Sequence, residues 1–308
     1  MKILGIGNAI VDVLCKVNDD FLVNNSLTKG TMKLVNESEF KNLLSLVNIE
    51  ETISGGSVAN SIVGLSQLGN DVGFIGKINN DILGYKYEEG LVKENVKFFY
   101  TKKKEHLPTG TCLILITPDS ERTMCTFLGI AGKINEKDID PQIIKKSEIL
   151  FLEGYLWDEG DPKNAFTKAI LSSNRVAMSL SDSFCVERHK KDFLDLVKNK
   201  LDFIFANEAE IMSLINTKDF TEVLNFCREI KKTTIITRGS KGATSIIGDE
   251  IIECPAQPNL KIADLTGAGD LFASGYLHGL VNNLSSKECL LKGTEMSAKI
   301  IQKIGARI

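Results

Sequence analysis

The chain has 308 residues, a formal net charge of −3 and an apolar content of 43%. That length and apolar content are enough to bury a substantial core in one large α/β domain or two small ones. Because acidic and basic residues are interspersed, the sequence offers no basic surface for nucleic acid or an anionic membrane, and small molecules are the expected partners.

Two further features bear on the cellular compartment. The seven cysteines are an odd number and form no CxxC pair, which is typical of reduced core thiols in a cytosolic protein. The opening stretch MKILGIGNAIVDVLCKV is interrupted by Asn8 and Asp12, and we interpret it as a first strand rather than a signal peptide. No stretch approaches the roughly 18 to 20 continuous apolar residues that span a bilayer, so the sequence predicts a cytoplasmic protein.

Strand-like and helix-like patterns alternate along the chain. Strands are predicted at Ile3–Gly7, Val72–Ile78, Ile149–Glu153, Val176–Leu180, Phe203–Ala206, Thr234–Thr237 and Thr244–Ile247. Helices are predicted at Val58–Leu68, Ile82–Val92, Pro162–Ser172, Arg188–Lys198, Ala209–Ile215 and Thr221–Lys231. Buried apolar strands joined by crossover helices predict a parallel sheet covered on both faces, which is a three-layer α/β sandwich.

Two regions break this alternation, at about residues 14–35 and 96–128. They contain apolar or alternating stretches such as TCLILI without a long helix between them, which indicates antiparallel strands. We expect these segments to form a small β-sheet lid over the site; an edge extension of the main sheet is the alternative. The apolar face of such strands could cover a pocket or pair across a homodimer, so monomer and homodimer both remain open.

The first glycine-rich turn, GIGNAI, gives little support to a dinucleotide site. The fingerprint for such a site needs a third glycine, and Ile10 stands at that position. The P-loop pattern GxxxxGK[ST] does not occur anywhere in the sequence. A dinucleotide-dependent oxidoreductase is therefore disfavoured, and any phosphate chemistry must use a device other than the P-loop.

The stretch ADLTGAGD, residues 263–270, leads into an apolar helical pattern. Gly267, Ala268 and Gly269 can bring backbone N–H groups close to an anion, and the dipole of the following helix adds positive potential. Since that helix is apolar, we expect its N-terminus to lie inside the protein. The carboxylate of Asp270 beside such an anion hole suits deprotonation of a hydroxyl during phosphoryl transfer; a simple helix cap is the alternative.

A second constellation, GGSVAN, places paired glycines before an amide at a helix start. Gly55 and Gly56 allow close approach and Asn60 supplies a donor and an acceptor, which suits a polyol; a serine-capped helix is the alternative. Asp12, interpreted as the end of the first strand, is placed where open α/β sheets bind ligands. Its carboxylate could accept hydrogen bonds from two sugar hydroxyls; a solvated loop acid is the alternative.

Two motifs bear on a nucleotide and its metal ion. In FANEAEI, Asn207 and Glu210 lie three residues apart on one helical face, a spacing that suits water-mediated binding of Mg²⁺ or a capped helix. In TRGSKGA, Thr237 and Gly239 follow the end of another strand, where they fit either nucleotide contact or a tight hairpin. Both motifs come directly after predicted strands of the same sheet.

Together, GGSVAN and DLTGAGD, in this order and at this separation, resemble the two signatures of the ribokinase (PfkB) family of carbohydrate and nucleoside kinases. The stretches NAIVDV, GKINNDILG, NEAE and TRGSKGA extend the resemblance over essentially the whole chain. The resemblance implies one ribokinase-like domain over residues 1–308, a Rossmann-like sandwich with a β lid. SLSDSFCVERHKKDF and the terminal IIQKIGARI look most like the adenosine-kinase-like bacterial branch.

The resemblance also implies a role for each candidate residue. It assigns catalysis to Asp270 as the base, with Gly267, Ala268 and Gly269 as the anion hole. It assigns the sugar hydroxyls to Asp12, Gly55, Gly56 and Asn60. It assigns ATP to Asn207, Thr237, Gly239, Gly267 and Gly269, water-bound Mg²⁺ to Glu210 and Asn207, and the adenine pocket to the neighbourhood of Gly267 and of residues 293–297.

The implied function is ATP-dependent phosphorylation of the primary hydroxyl of adenosine. A sugar kinase acting on ribose, fructose or a related sugar is the first alternative. A non-catalytic sugar or nucleoside sensor is the second; it would keep Asp12 and Asn60 but has no need of Asp270. Leu265 stands where the family usually has Thr, which leaves open whether a monovalent cation binds near this loop.

Overall fold

The computed structural model describes residues 1–119, 121–157 and 160–308. Its strands are β1 Ile3–Ile6, β2 Ile10–Lys16, β3 Met32–Leu34, β4 Glu51–Ser54, β5 Val72–Ile75, β6 Lys97–Phe98, β7 Gly110–Ile116, β8 Arg122–Phe127, β9 Ile149–Glu153, β10 Val176–Ser179, β11 Phe203–Asn207, β12 Thr233–Thr237, β13 Ala243–Ile247 and β14 Glu250–Cys254. Its helices are α1 Asp19–Asn24, α2 Glu37–Ser45, α3 Ser57–Gln67, α4 Ile82–Lys93, α5 Pro141–Lys145, α6 Asp161–Ser172, α7 Ser183–Asn199, α8 Glu208–Ile215, α9 Phe220–Ile230, α10 Ala268–Val281 and α11 Ser286–Ile300. Within those ranges no helix is both long enough and apolar enough to cross a bilayer.

The main sheet of the described chain has nine strands in the order β14-β13-β12-β11-β10-β9-β1-β5-β6. The strands from β12 to β6 in that order are parallel, whereas β13 and β14 are antiparallel to their neighbours. The expectation of a parallel sheet is therefore wrong at this edge. The short turn at Gly239–Lys241 returns the chain directly, without the crossover helix that a parallel connection needs.

Successive residues of the central strands face two separate cores. Ile3 and Phe151 belong to the core under α3, α4, α10 and α11, whereas Leu4 and Leu152 belong to the core under α6, α7, α8 and α9. Side chains alternate between the two faces of a strand, so a sheet that is apolar on both faces needs helices on both. The predicted three-layer sandwich is confirmed, and the seven cysteines are buried free thiols.

The predicted helices agree closely with the structure except for one. All but the helix predicted at Arg188–Lys198 begin and end within one residue of the observed bounds. That helix, α7, begins five residues earlier, at Ser183, because the Asp182 side chain accepts a hydrogen bond from Cys185 N at 2.6 Å and caps it there.

The N-terminal segment forms two strands rather than the single predicted strand. β1 ends at Ile6, and after residues 7–9 the chain enters β2 in a second sheet. Asn8 is 2% exposed, and its Nδ2 donates to Glu153 Oε1 at 2.8 Å, which holds the chain where it leaves the main sheet. Asp12 therefore lies within β2 and not at the end of the first strand as expected.

The second sheet has five strands among the described residues, in the order β3-β8-β7-β2-β4. The segments predicted as a lid contribute β3, β7, β8 and part of β2, whereas β4 comes from outside them. The expectation of antiparallel strands is wrong for two pairs, because β2 with β7 and β3 with β8 are parallel. These partners are distant in sequence, so no hairpin fixes their direction. Residue 120, within the second predicted segment, lies outside the described residues.

Helix α10 is packed closely between α3 and α11. A Cβ atom at Gly64 of α3 would lie 2.6 Å from Ser274 Oγ of α10. A Cβ atom at Gly275 of α10 would lie 2.2 Å from the Lys292 carbonyl oxygen of α11. Glycine at these points lets the helix backbones approach closely, and this packing fixes where the first turn of α10 lies.

Gly275→Ala is expected to lower the free energy of unfolding by about 1–3 kcal/mol, because the added methyl group would meet the backbone of α11. Urea unfolding followed by circular dichroism measures this change. Gly269→Ala, in the first turn of the same helix, is the control, since no described atom lies within 4 Å of its added Cβ. Equal losses at the two positions would contradict the close packing of α10 on α11.

Candidate active site

Helices α3 and α10 begin close to each other at the edge of the main sheet where its parallel strands end. Gly56 precedes α3, and Gly267, with φ of +77°, precedes α10. Gly267 has no side chain to cap α10. Ala268 N donates to the Leu265 carbonyl oxygen at 3.2 Å, so the N–H groups of the next residues in the first turn are the ones available to a ligand. A free helix N-terminus of this kind favours an anion.

Asp270, in the first turn of α10, faces α3. Its Oδ1 accepts a hydrogen bond from Ser57 Oγ at 2.6 Å, and its Oδ2 accepts one from Asn60 Nδ2 at 3.0 Å. It is not the cap of its own helix, because Gly267 occupies that position. Burial raises the pKa of Asp270 to about 6, although the hydrogen bonds from Ser57 and Asn60 and the charge of Arg307 lower it. The carboxylate is thus oriented by α3 and is more basic than an exposed aspartate.

The loop before Asp270 is open to solvent on one side and packed on the other. Gly269 is exposed, so the expectation that the N-terminus of α10 lies inside the protein is wrong. On the other side, a Cβ atom at Gly267 would lie 2.8 Å from Ala306 Cα. The left-handed conformation and this close approach both require glycine at position 267, while the open side leaves Ala268 and Gly269 accessible to an anion.

Asp12 reaches the same site from the second sheet. A Cβ atom at Gly55 would lie 2.4 Å from Asp12 Oδ2, so the glycine is needed for this contact. Burial raises the pKa of Asp12 to about 7; the charges of Arg307 and Arg122 lower it, and the charge of Asp270 raises it. The structure therefore brings Asp12 and the GGSVAN turn together with Asp270, as the sequence predicted, although from an unexpected strand.

Sequence reasoning missed Glu153, which lies beneath the start of α3 and is 1% exposed. Its Oε1 accepts from Asn8 Nδ2, and its Oε2 accepts from Val58 N at 3.0 Å, so it caps α3 from the neighbouring strand β9. Burial raises the pKa of Glu153 to about 7, with the hydrogen bonds from Val58 and Asn8 lowering it. An acid at the carboxyl end of an otherwise apolar strand, LFLEG, is the signal that could have identified it.

A second missed contact joins the second sheet to the loop before α10. Arg122 Nη2 of β8 lies 3.2 Å from Asp264 Oδ2, and the two side chains are only 8% and 11% exposed. Asp264 Oδ1 accepts from Thr266 N, and its Oδ2 accepts from Gly305 N, each at 2.9 Å. Asp264 thus connects three parts of the chain that are distant in sequence.

A cavity beside the first turn of α10 is lined by several of the other predicted residues. It is lined, among others, by Thr237, Gly239, Ala268, Gly269, Phe272 and Ser297. The TRGSKGA turn and the end of α11 therefore face the first turn of α10 across one space. Gly267 precedes the lining residues without being one of them.

Asn207 and Glu210 lie at the same edge of the sheet, where Asn207 pairs with Thr237 in register. They form a capping box: Asn207 Oδ1 accepts from Glu210 N, and Glu210 Oε2 accepts from Asn207 N. Burial raises the pKa of Glu210 to about 7, with hydrogen bonds from Asn207 lowering it. No group of three His, Cys, Asp or Glu residues in the described chain is arranged to hold a metal ion.

Comparison with known proteins agrees with this geometry. The family model for pfkB family carbohydrate kinases matches residues 31–308. Adenosine kinase 2 of Arabidopsis thaliana is 26% identical over 98% of this chain and 94% of its own length. The crystal structure of adenosine kinase from Sinorhizobium meliloti superposes with a TM-score of 0.93 at 34% identity, covering 100% of this chain and 95% of that one. A probable sugar kinase from Rhizobium etli superposes with a TM-score of 0.92 at 34% identity, covering 99% and 94%.

Asp264→Asn is expected to lower the free energy of unfolding by about 3 kcal/mol, because it removes the carboxylate that pairs with the buried Arg122 guanidinium at 3.2 Å. Chemical denaturation measures the loss. Asp119→Asn is the matched control, since Asp119 pairs with Lys29 on the surface and its side chain is 59% exposed, and the expected change there is small because solvent screens the pair. The Arg122→Gln, Asp264→Asn double variant should lose less than the sum of the single losses; a loss at Asp264 no larger than at Asp119 would refute the buried pair.

Proposed function

We propose that this chain, which belongs to the pfkB family of carbohydrate kinases, transfers the γ-phosphoryl group of ATP to the primary hydroxyl of adenosine. As a family member it is a phosphotransferase with an alcohol acceptor, and its acceptor is a nucleoside or a sugar. One observation carries the proposed mechanism. Asp270 is held by Ser57 and Asn60 beside the free N-terminus of α10, so a base and an anion site lie next to each other.

In this mechanism Asp270 accepts the proton of the attacking hydroxyl. With a pKa of about 6 its carboxylate is mainly ionised at neutral pH and basic enough to take a proton. The hydroxyl oxygen forms a bond to the γ-phosphorus while the bond to the β,γ-bridging oxygen breaks, and ADP leaves with that electron pair. Ser57 and Asn60 keep the carboxylate in one orientation throughout, so orienting the base contributes little to the activation free energy.

The N–H groups of Gly267 and Gly269 would donate to the oxygens of the transferring phosphoryl group, since their dipoles are fixed before the reaction begins. Ala268 N already donates to the Leu265 carbonyl oxygen. Thr237 and Gly239 line the cavity beside the first turn of α10, which supports an ATP site there. Mg²⁺, when bound, neutralises charge on the phosphates. The amide and carboxylate oxygens of Asn207 and Glu210 suit its water-bound form.

The second sheet supports adenosine over a free sugar. Asp12 pairs with Cys112 in register, and Ile10, Leu14 and Ile114 lie on the same face of these strands. Ile10, Cys112 and Ile114 form an apolar cluster with Leu14 packed against it. An apolar face on both sides of a sugar-binding carboxylate suits a purine base attached to the sugar, whereas a free sugar presents hydroxyls there. On this proposal the second sheet is the lid of a single kinase domain.

A sugar kinase is the second candidate, with the same chemistry and the same base. The similarity to a probable sugar kinase at 34% identity favours it. The two candidates differ in the part of the acceptor that would contact the apolar face of the second sheet, a purine base or a sugar hydroxyl. A substitution in that face therefore distinguishes them.

The test is ADP release from Mg-ATP with adenosine, other nucleosides, ribose and fructose. We expect adenosine to react fastest, and Asp270→Asn to lower kcat by roughly 10² to 10⁴-fold with folding intact, since the base is lost. Asp249→Asn, an exposed acid far along the hairpin after β13, is the control for introducing an amide. Leu14→Ala should lower kcat/KM for adenosine roughly tenfold or more and leave that for ribose unchanged, because only the base contacts this residue.

Full activity of Asp270→Asn would overturn the mechanism. Turnover of a sugar alone, insensitive to Leu14→Ala, would keep the mechanism and replace adenosine by a sugar. ATP binding without turnover of any acceptor in the panel would favour the sensor.

A further inference from the structure

Residues 301–308 fold back over the loop before α10. Ala263 N donates to the Ile301 carbonyl oxygen at 2.8 Å, and Gly305 N donates to Asp264 Oδ2 at 2.9 Å. Gln67 Nε2 of α3 donates to the Ile308 carbonyl oxygen at 3.2 Å. These contacts place the side chain of Arg307 between α3, the loop and the second sheet.

The guanidinium of Arg307 contacts the amide that orients the proposed base. Arg307 Nε donates to Asn60 Oδ1 at 3.1 Å, and Asn60 Nδ2 donates to Asp270 Oδ2 at 3.0 Å. Because Arg307 can only donate, its contact determines which end of the amide faces Asp270. Asn60 is 6% exposed, so water cannot take over this role.

Arg307 is also a half-buried positive charge among acids. Its Nη2 is buried and has no hydrogen-bond partner among the described residues. Four groups favour the charged form of the guanidinium and so raise its pKa. They are the Tyr87 hydroxyl of α4 and three acids, Asp12 of β2, Glu94 at the end of α4 and Asp270 of α10. A guanidinium left partly unpaired costs stability, which indicates that its charge serves the neighbouring carboxylates.

We propose that Arg307 is a positioning residue of the acceptor site: it turns the Asn60 amide toward Asp270 and supplies the positive charge that faces Asp12 and Asp270. The catalytic importance of this role rests on the proposed function, whereas the contact itself does not. Removing the charge of Arg307 should raise the pKa of Asp12, since Arg307 is the charged group that lowers this pKa most. The other charged groups acting on the two aspartates, Arg122 of β8 and Glu153 of β9, remain in place.

Two substitutions separate charge from orientation. Arg307→Gln removes the charge, and Arg307→Lys keeps it but loses the planar donor that Nε presents to Asn60. The glutamine variant should therefore change the pH dependence, and the lysine variant should restore that dependence while kcat stays low. Lys303→Gln, an exposed cation in the same segment, is the matched control for loss of one positive charge.

The test is a carboxyl ¹³C NMR titration of the ligand-free chain labelled at aspartate, with Asp12→Asn and Asp270→Asn assigning the two resonances. In Arg307→Gln we expect the Asp12 midpoint to move up by about 1 to 3 pH units and the Asp270 midpoint to follow in the same direction. Arg307→Lys should reverse most of this movement, and Lys303→Gln should cause none. The acid limb of kcat/KM for the acceptor should move with these midpoints, while KM for ATP stays within about twofold of wild type.

Unchanged midpoints in Arg307→Gln would overturn the proposal even in an active enzyme. Shifted midpoints in a chain that phosphorylates no acceptor would confirm the charge contact and refute the proposed function instead. If the glutamine variant fails to fold, the lysine variant decides: wild-type kcat together with wild-type midpoints would refute a role in orienting Asn60.

Discussion

The site depends on one constraint: the carboxylate of Asp270 is half-buried between two helix N-termini and is held by α3 rather than by its own helix. Ser57 and Asn60 supply the two hydrogen bonds, and Glu153 fixes the first turn of α3 by accepting from Val58 N. The close packing of α10 between α3 and α11 then sets the distance between base and donors. The proposed base, the proposed anion-binding loop and the proposed sugar-binding turn are therefore positioned by the packing of two helices.

Local patterns in the sequence predicted the parts of this arrangement that are local in the structure. The helical periodicities and the apolar strands of the main sheet depend on near neighbours, so most of their bounds could be read directly. The exceptions are the start of α7, which lies five residues before the predicted one, and the strand predicted at Val72–Ile78, which ends at Ile75. The turns GGSVAN and TGAGD could be interpreted for the same reason, since glycines and a following helix make an anion site within a few residues. The parallel strand order then brought Asp270 and Asn207 to one edge of the sheet.

The rest of the structure depends on contacts between residues that are distant in sequence. The periodicity of apolar residues carries no information about such contacts. Asp12 lies in the second sheet rather than at the end of the first strand of the main sheet, where it was expected. β1 ends early, at the point where the buried side chains of Asn8 and Glu153, 145 residues apart, are joined by a hydrogen bond. The Arg122 to Asp264 pair and the Arg307 to Asn60 bond join segments that only the folded chain brings together. The parallel pairing of β2 with β7 is equally non-local. These side chains are largely removed from water, so each contact stabilises the fold. A polar or charged group left there without its partner would lower the free energy of unfolding.

In the proposed mechanism, Asp270 activates one hydroxyl of the acceptor for attack on the γ-phosphorus. The most direct measurement is ³¹P NMR of the products formed from adenosine and Mg-ATP by the wild-type chain. We expect ADP and one new phosphomonoester, whose phosphorus is coupled to the methylene protons of the primary hydroxyl position. Release of free inorganic phosphate without a phosphorylated acceptor, or a phosphate on a secondary hydroxyl, would contradict it.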